Sequence, residues 1–241
     1  MKKNTFVLIM MITLFSGLLS GQDIDSIRLT NILKSLKLDK NKIRQELCVE
    51  KKMPSVEDSY IAIIPVILHQ EKDDYIFTAQ NYILITDSNG TIKNQYFDPT
   101  ELDSDAVGLR GFTIDTGLYT ISQNIRAFGV KADFVGSSKV YPYDTGKLSM
   151  YYPEGETLKK VLDQFEIDSA RGEWDTRCNG EFRDKHSYII LDSSQTNNFT
   201  DLKVKTIAVT TISKEIKGEC ENKETSKTFY KTLKFKNGKY Q

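Results

Sequence analysis

Two histidines, three cysteines and a group of carboxylates around a single tryptophan are the residues whose types suit chemistry. Histidine titrates near neutral pH and serves as a proton carrier. His69 is followed by Glu71, Asp73 and Asp74, which could orient its ring or complete a metal site. His186 follows Asp184 and Lys185. Cys178 lies eight positions before His186 and suggests a nucleophile with its base, unless a disulfide consumes the thiol. Cys178 and Cys220 are the preferred disulfide, because both fall in the C-terminal part and would close a loop of about 40 residues. The alternative is three reduced, buried thiols, Cys48 included.

Glu173, Asp175, Glu181 and Asp184 surround Trp174. A separated carboxylate pair can divide acid and nucleophile duties in glycoside hydrolysis, and an indole face can stack on a sugar. Tyr141, Tyr143, Tyr151 and Tyr152 join Trp174 as candidate ligand-binding residues. Asp98, Glu101, Asp103 and Asp105 carry oxygen ligands of the kind calcium prefers. They do not follow the spacing of an EF-hand, and a solvated acidic loop is the expected form. Neither a G-x-S-x-G elbow nor an H-E-x-x-H zinc motif occurs. Gly108-Leu109-Arg110-Gly111 lacks the rest of a phosphate-binding fingerprint. No cofactor is expected. Asn89-Gly90-Thr91 and Asn198-Phe199-Thr200 fit the N-glycosylation pattern and otherwise read as turns.

The elements that hold these residues follow from periodicity. Ile27, Ile32, Leu36, Ile43 and Leu47 recur near helical spacing, with Leu29 and Leu33 beside them, and Asp39 caps a second, shorter helix. From Tyr60 the pattern becomes β-branched, with Pro65 marking an edge or a bulge. Asp87-Ser88-Asn89-Gly90 is a tight turn between strands at 82–85 and 91–97. Leu158, Val161, Leu162 and Phe165 sit at i, i+3, i+4 and i+7, which predicts a short helix over 157–166 capped by Thr157. Strands follow at 186–191 and 202–212, the latter with a bulge near Lys205–Thr206. Phe229, Leu233 and Phe235 mark a last strand before an Asn237-Gly238 turn.

The chain opens with Lys2 and Lys3, an apolar run over 6–15 broken only by Thr13, and small residues at Ser16, Gly17, Ser20 and Gly21. That order predicts a secretory signal over 1–21. Export to the periplasm, cell envelope or extracellular space follows, and with it a setting that permits a disulfide. Lys2 and Lys3 leave with the signal, so acidic residues exceed basic ones by two in the mature chain. Such a balance gives no reason to expect nucleic acid. The tail over 214–241 is locally basic, with eight Lys against four Glu, and reads as an exposed strand face. After the signal no apolar stretch is long enough for a permanent membrane span. Twelve Tyr and twelve Phe argue for a folded domain.

Together these features predict an α+β protein. A helical N-terminal arm over 22–56 precedes a β-rich main domain over 57–241, an antiparallel assembly covered in part by the short helix. A β-sandwich or partly closed barrel is the alternative. The functional expectation is a non-catalytic binding or envelope-associated protein whose partner is a sugar, a peptide or a protein. The alternatives are an extracellular hydrolase using histidine or paired carboxylates, and an interaction domain that docks through its helical arm.

Overall fold

The computed structural model describes residues 23–72 and 75–241, so the expected signal peptide lies outside the described residues. Strands dominate. Thirteen are described, and β1 to β11 belong to a single sheet. They are β1 Val49–Lys52, β2 Tyr60–Gln70, β3 Phe77–Thr86, β4 Ile92–Ser104, β5 Val107–Ser122, β6 Ile125–Gly136, β7 Tyr143–Glu154, β8 Thr157–Trp174, β9 Gly180–Thr196, β10 Phe199–Ile216 and β11 Glu219–Leu233. The short pair β12 Phe235–Lys236 and β13 Lys239–Tyr240 follows.

The path β1-β2-β3-β4-β8-β7-β6-β5 curls into a nearly closed barrel. Its terminal strands approach each other, and Lys51 Nζ on β1 donates to the Ile114 carbonyl on β5 at 3.0 Å. The barrel is loosest between β4 and β8, which share a lone parallel bridge at Gln95 and Thr157. β8 is long enough to serve further neighbours. It pairs with β7 from Thr157 to Arg171, with register shifts on the way, while its C-terminal part from Asp168 also pairs with β9. From there β9, β10 and β11 continue the sheet as an antiparallel extension.

Alternation of apolar and polar residues makes the barrel interior. Ile61 and Ile63 of β2, Ile83 and Ile85 of β3, Phe128 and Val130 of β6 and Tyr151 of β7 fill it. A second core joins the outer side of β7 and β8 to the base of β9–β11 through Met150, Val161, Leu162, Leu202 and Leu233. A third lies beneath α1, Ser26–Leu36. Asp25 caps α1 by accepting from the Ile27 and Arg28 amides. Leu29, Ile32 and Leu33 of α1 pack with Ala62, Ile64 and Leu84 on the outer face of β2–β3. The apolar side of the helix is thus covered by the protein's own sheet.

The same helix explains the turn between β3 and β4. Arg28 and Asn31 donate to the Ser88 and Asn89 carbonyls. Gly90 has φ of +85°, and a Cβ there would stand 2.7 Å from the Arg28 carbonyl oxygen, so backbone conformation and close approach both demand glycine. Asp39 caps a 3₁₀ turn, as its position suggests. Pro65 sits in β2 beyond the last β1 pairing, where a missing amide costs no ladder bond on that side.

Three expectations are corrected. The short helix over 157–166 is the start of β8. Register shifts around Met150 and a positive φ at Gln164 bulge the β7–β8 ladder. These bulges move successive apolar side chains between faces and thereby imitate helical spacing: Leu158 enters the barrel core, whereas Val161 and Leu162 enter the second core. The acidic loop at 98–117 is also strand, covering the end of β4 and most of β5. Finally, the bulge of β10 falls between Thr200 and Leu202, and its pairing with β9 runs without a shift past Lys205 and Thr206.

Cys178 and Cys220 form a disulfide, with Cα atoms 5.3 Å apart. It ties the β8–β9 connection to the start of β11. Cys48 is buried as a free thiol. Burial, with a further contribution from Glu46, pushes its pKa up to about 12. We therefore expect native protein to resist thiol-specific disulfide reagents at about pH 8 and to react at Cys48 once unfolded. A spectrophotometric thiol titration with and without denaturant checks this.

Candidate functional site

A cavity of about 510 Å³ opens along one face of β6, β7, β8, β9 and β10. Strand pairing aligns its chemistry. Asp133 lies opposite Gly146, Gly146 opposite Asp168, Asp168 opposite His186, and His186 opposite Ile207. Residues in such a row share a face, so five consecutive strands contribute adjacent side chains to the groove. The next row on that face runs Val135, Asp144, Ala170, Asp184 and Val209.

His186 contacts Asp168 through Nδ1, and its ring meets Tyr188 edge-on with centroids 4.5 Å apart. Lys131 reaches between two carboxylates, with Nζ 3.0 Å from both Asp133 Oδ1 and Asp168 Oδ2. Burial alone would lower the Lys131 pKa, but its bonds to Asp133 and Asp168 outweigh that and hold it above the ordinary lysine value. Gly146 creates the gap Lys131 uses. A Cβ at Gly146 would lie 3.0 Å from Lys131 Cδ and 3.2 Å from Asp133 Oδ1 and Asp168 Oδ2. We expect Gly146→Val to expel Lys131 from between these carboxylates and to cost about 1–3 kcal/mol by overpacking. NMR of the lysine Nζ resonances together with urea unfolding checks both effects.

The second row differs electrostatically. Asp144 and Asp184 flank the small side chain of Ala170, both are exposed, and no ion pair to either is present among the described residues. Ile207, Val209, Val135 and Tyr188 give the groove apolar walls. Its face therefore combines a lysine-bridged Asp–Lys–Asp row beside His186 with a pair of carboxylates that have no ion-pair partner among the described residues, over a small-residue floor.

Other candidates from the sequence disperse. Trp174 donates its indole N–H to the Lys139 carbonyl and its amide to the Val140 carbonyl, and its ring meets Phe182 with centroids 6.0 Å apart. It thereby anchors the β6–β7 connection on β8. Tyr141 is exposed beside Arg171 and Arg183, and Tyr143 packs under the Arg171 guanidinium. Tyr151 lies in the barrel core and Tyr152 in the second core. These five aromatics do not form one exposed surface, because alternate pointing along β7 sends Tyr151 and Tyr152 to opposite faces.

Glu173 faces Glu181 across the β8–β9 ladder, while Asp175 is occupied in the turn by Asn179 and the Arg177 amide. Trp174 follows Glu173 on the strand and so points to the other face. Glu173 and Glu181 thus lie on the face away from the indole, while Asp184, on the indole's own face, stands opposite Ala170, four residues along β8 from Trp174. His69 is exposed at the β2 bulge, and its neighbours Asp73 and Asp74 lie outside the described residues. The disulfide consumes the Cys178 thiol and removes the Cys178–His186 nucleophile–base pairing. No group of three or more His, Cys, Asp or Glu suited to a metal ion occurs among the described residues.

Lys131, Asp133, Gly146 and Asp168 were not apparent as site residues from local spacing. Their signal is register. Reading 157–174 as a strand that turns at Asp175 and Asn179 would have placed Asp168 opposite His186. The chain matches no family model, curated protein or solved structure in comparisons with each.

Proposed function

We propose that this chain is an exported, non-catalytic binding protein that holds an extended polypeptide segment in the groove of β6–β10. The observation that carries this reading is the pair Asp144 and Asp184 flanking Ala170 beside the apolar wall of Ile207 and Val209. A basic side chain fits over Ala170 between the two carboxylates. Apolar side chains from the same segment fit against Ile207, Val209 and Tyr188. Such a mixed surface gives affinity through the apolar contacts and selects charge through the carboxylates. Export is supported by the leading residues and is compatible with the Cys178–Cys220 disulfide. No helix among the described residues is long and apolar enough to cross a membrane.

The test is calorimetric titration with a terminally blocked hexapeptide of alternating valine and lysine. Saturable binding is expected, weakened about tenfold or more by Asp144→Asn combined with Asp184→Asn. Equal binding of the corresponding valine–glutamate peptide, or no effect of the double substitution, would overturn the assignment.

The contact between His186 and Asp168 favours a second reading, an extracellular hydrolase with His186 as general base. The binding reading is preferred because no hydroxyl or thiol bonds to His186 among the described residues. Hydrolysis of peptide or ester substrates that disappears in His186→Ala would establish the alternative.

A further inference from the structure

A second candidate pocket reaches into the barrel, and its outer part borders the groove at Phe134 and Thr145. The inward row of β3 reads Phe77, Ala79, Asn81, Ile83 and Ile85, and its other four members belong to the apolar core. Asn81 is 5% exposed, and its Oδ1 has no hydrogen-bond partner among the described residues. A buried acceptor without a protein partner is costly, so Asn81 Oδ1 is a point at which a donor from a bound molecule would gain a hydrogen bond. Asn81 lines a chamber of about 30 Å³ with Asp98, Thr100, Ser149, Tyr151 and Gln164. That space accommodates one water-sized group.

The chamber adjoins a larger cavity of about 340 Å³, and Leu102, Lys147 and Gln164 line both. Glu101, Asp103, Phe134 and Tyr143 also line this outer cavity. Both spaces lie along β4 past the lone bridge that it shares with β8. The β8 bulge lines both through Gln164, which has φ of 44° and whose amide donates to Ser149 Oγ at 3.0 Å.

Charge restricts what could enter. Asp98 already accepts from Lys160 Nζ, the Tyr151 hydroxyl and the Thr100 amide. The Asp98 charge is therefore matched, Lys147 is a cation at the border of the two spaces, and the open acceptor is a neutral amide oxygen. An anion would face the Glu101 and Asp103 carboxylates on entry. An ammonium would face Lys147 and would be desolvated beside an Asp98 carboxylate whose oxygens are already engaged, at high cost. A hydroxyl can donate to Asn81 Oδ1 without bringing a charge. The outer cavity can hold the body of a molecule that carries this hydroxyl.

We propose that the barrel interior is a binding site for a neutral, hydroxyl-rich molecule of polyol or monosaccharide class, one hydroxyl of which enters the chamber and donates to Asn81.

The experiment uses the mature chain and follows side-chain amide resonances by NMR during titration with glycerol, myo-inositol, D-glucose and D-galactose. n-Butylammonium and acetate are the charged controls. At least one neutral probe is expected to shift the Asn81 amide saturably, and Asn81→Leu is expected to weaken that binding about tenfold. The wild-type titration stands without the variant, should Asn81→Leu fail to fold. No saturable shift with any of the four, as when a resident water alone fills the chamber, overturns the proposal. So does preferential binding of either charged control, or binding that shifts groove residues and leaves Asn81 unmoved. Resonances of Ile207 and Val209 report the groove separately, so failure at one site is not failure at the other.

Discussion

Replacing Lys160 with methionine is expected to lower the unfolding free energy by about 3–5 kcal/mol, because it strands a buried carboxylate. The Lys160 side chain is 5% exposed and that of Asp98 is 9% exposed. Lys160 Nζ lies 2.8 Å from Asp98 Oδ2 and 2.7 Å from Asp163 Oδ1, and it also donates to Thr100 Oγ1. Methionine preserves much of the stem's packing and removes all of these polar contacts. The loss therefore measures the polar cluster more than a cavity. Burial pushes the Lys160 pKa down, but its bonds to Asp163 and Asp98 outweigh this and leave it raised. A raised lysine contributes stability below its unfolded pKa and loses that contribution as pH climbs through the folded value. The defect in Lys160→Met should accordingly be full at neutral pH and shrink as the pH rises through the alkaline range. Urea unfolding of both proteins across this range measures it. An unchanged midpoint at neutral pH would show that Asp98 finds compensation elsewhere.

The second large effect is expected at the disulfide. Cys178 and Cys220 are 42 positions apart, and a closure of that length contributes about 2–4 kcal/mol. Its neighbourhood has little else to hold it. β11 pairs with β10 alone, and each of its residues is exposed except Leu233. At the same end, Asn179 accepts from the Glu215 amide and bonds to Asp175, which adds a modest polar tie. Cys178→Ser combined with Cys220→Ser should therefore fray the tip before the barrel opens. Hydrogen exchange should accelerate at 175–180 and 213–222 while the barrel core at 61–64 and 83–85 stays protected. Uniform acceleration throughout would instead make the disulfide a global constraint.

The local signals in the sequence were strongest where one interaction governs geometry. Asp87 to Gly90 marked the β3–β4 turn because a positive φ needs glycine there, and β2 showed itself through β-branched residues. Asp39 marked a cap through its own side-chain bond to the Asn41 amide. The disulfide was approachable because three cysteines permit few pairings.

The start of β8 resembles a helix in sequence for a physical reason. A regular strand alternates its burial, but bulges around Met150 and Gln164 place Lys160, Val161 and Leu162 consecutively in buried positions. Since β8 is the strand shared by β4, β7 and β9, its helix-like spacing also conceals the sheet topology and the groove. His186 was visible as a residue type, whereas Asp168, Gly146 and Asp133 become its neighbours only through long-range register. Tyr151 and Tyr152 looked like a surface pair, yet adjacent positions on a strand belong to opposite faces.

The central claim is that the face of β6–β10 bearing His186 receives the ligand. Methyl-resolved NMR of the mature chain during titration with the valine–lysine hexapeptide tests it directly. We predict saturable shifts at Val135, Ile207 and Val209, with Ile212 and Ile216 unaffected on the opposite face of β10. Shifts centred on Ile212 and Ile216, or on the α1 side of the barrel, would contradict the claim.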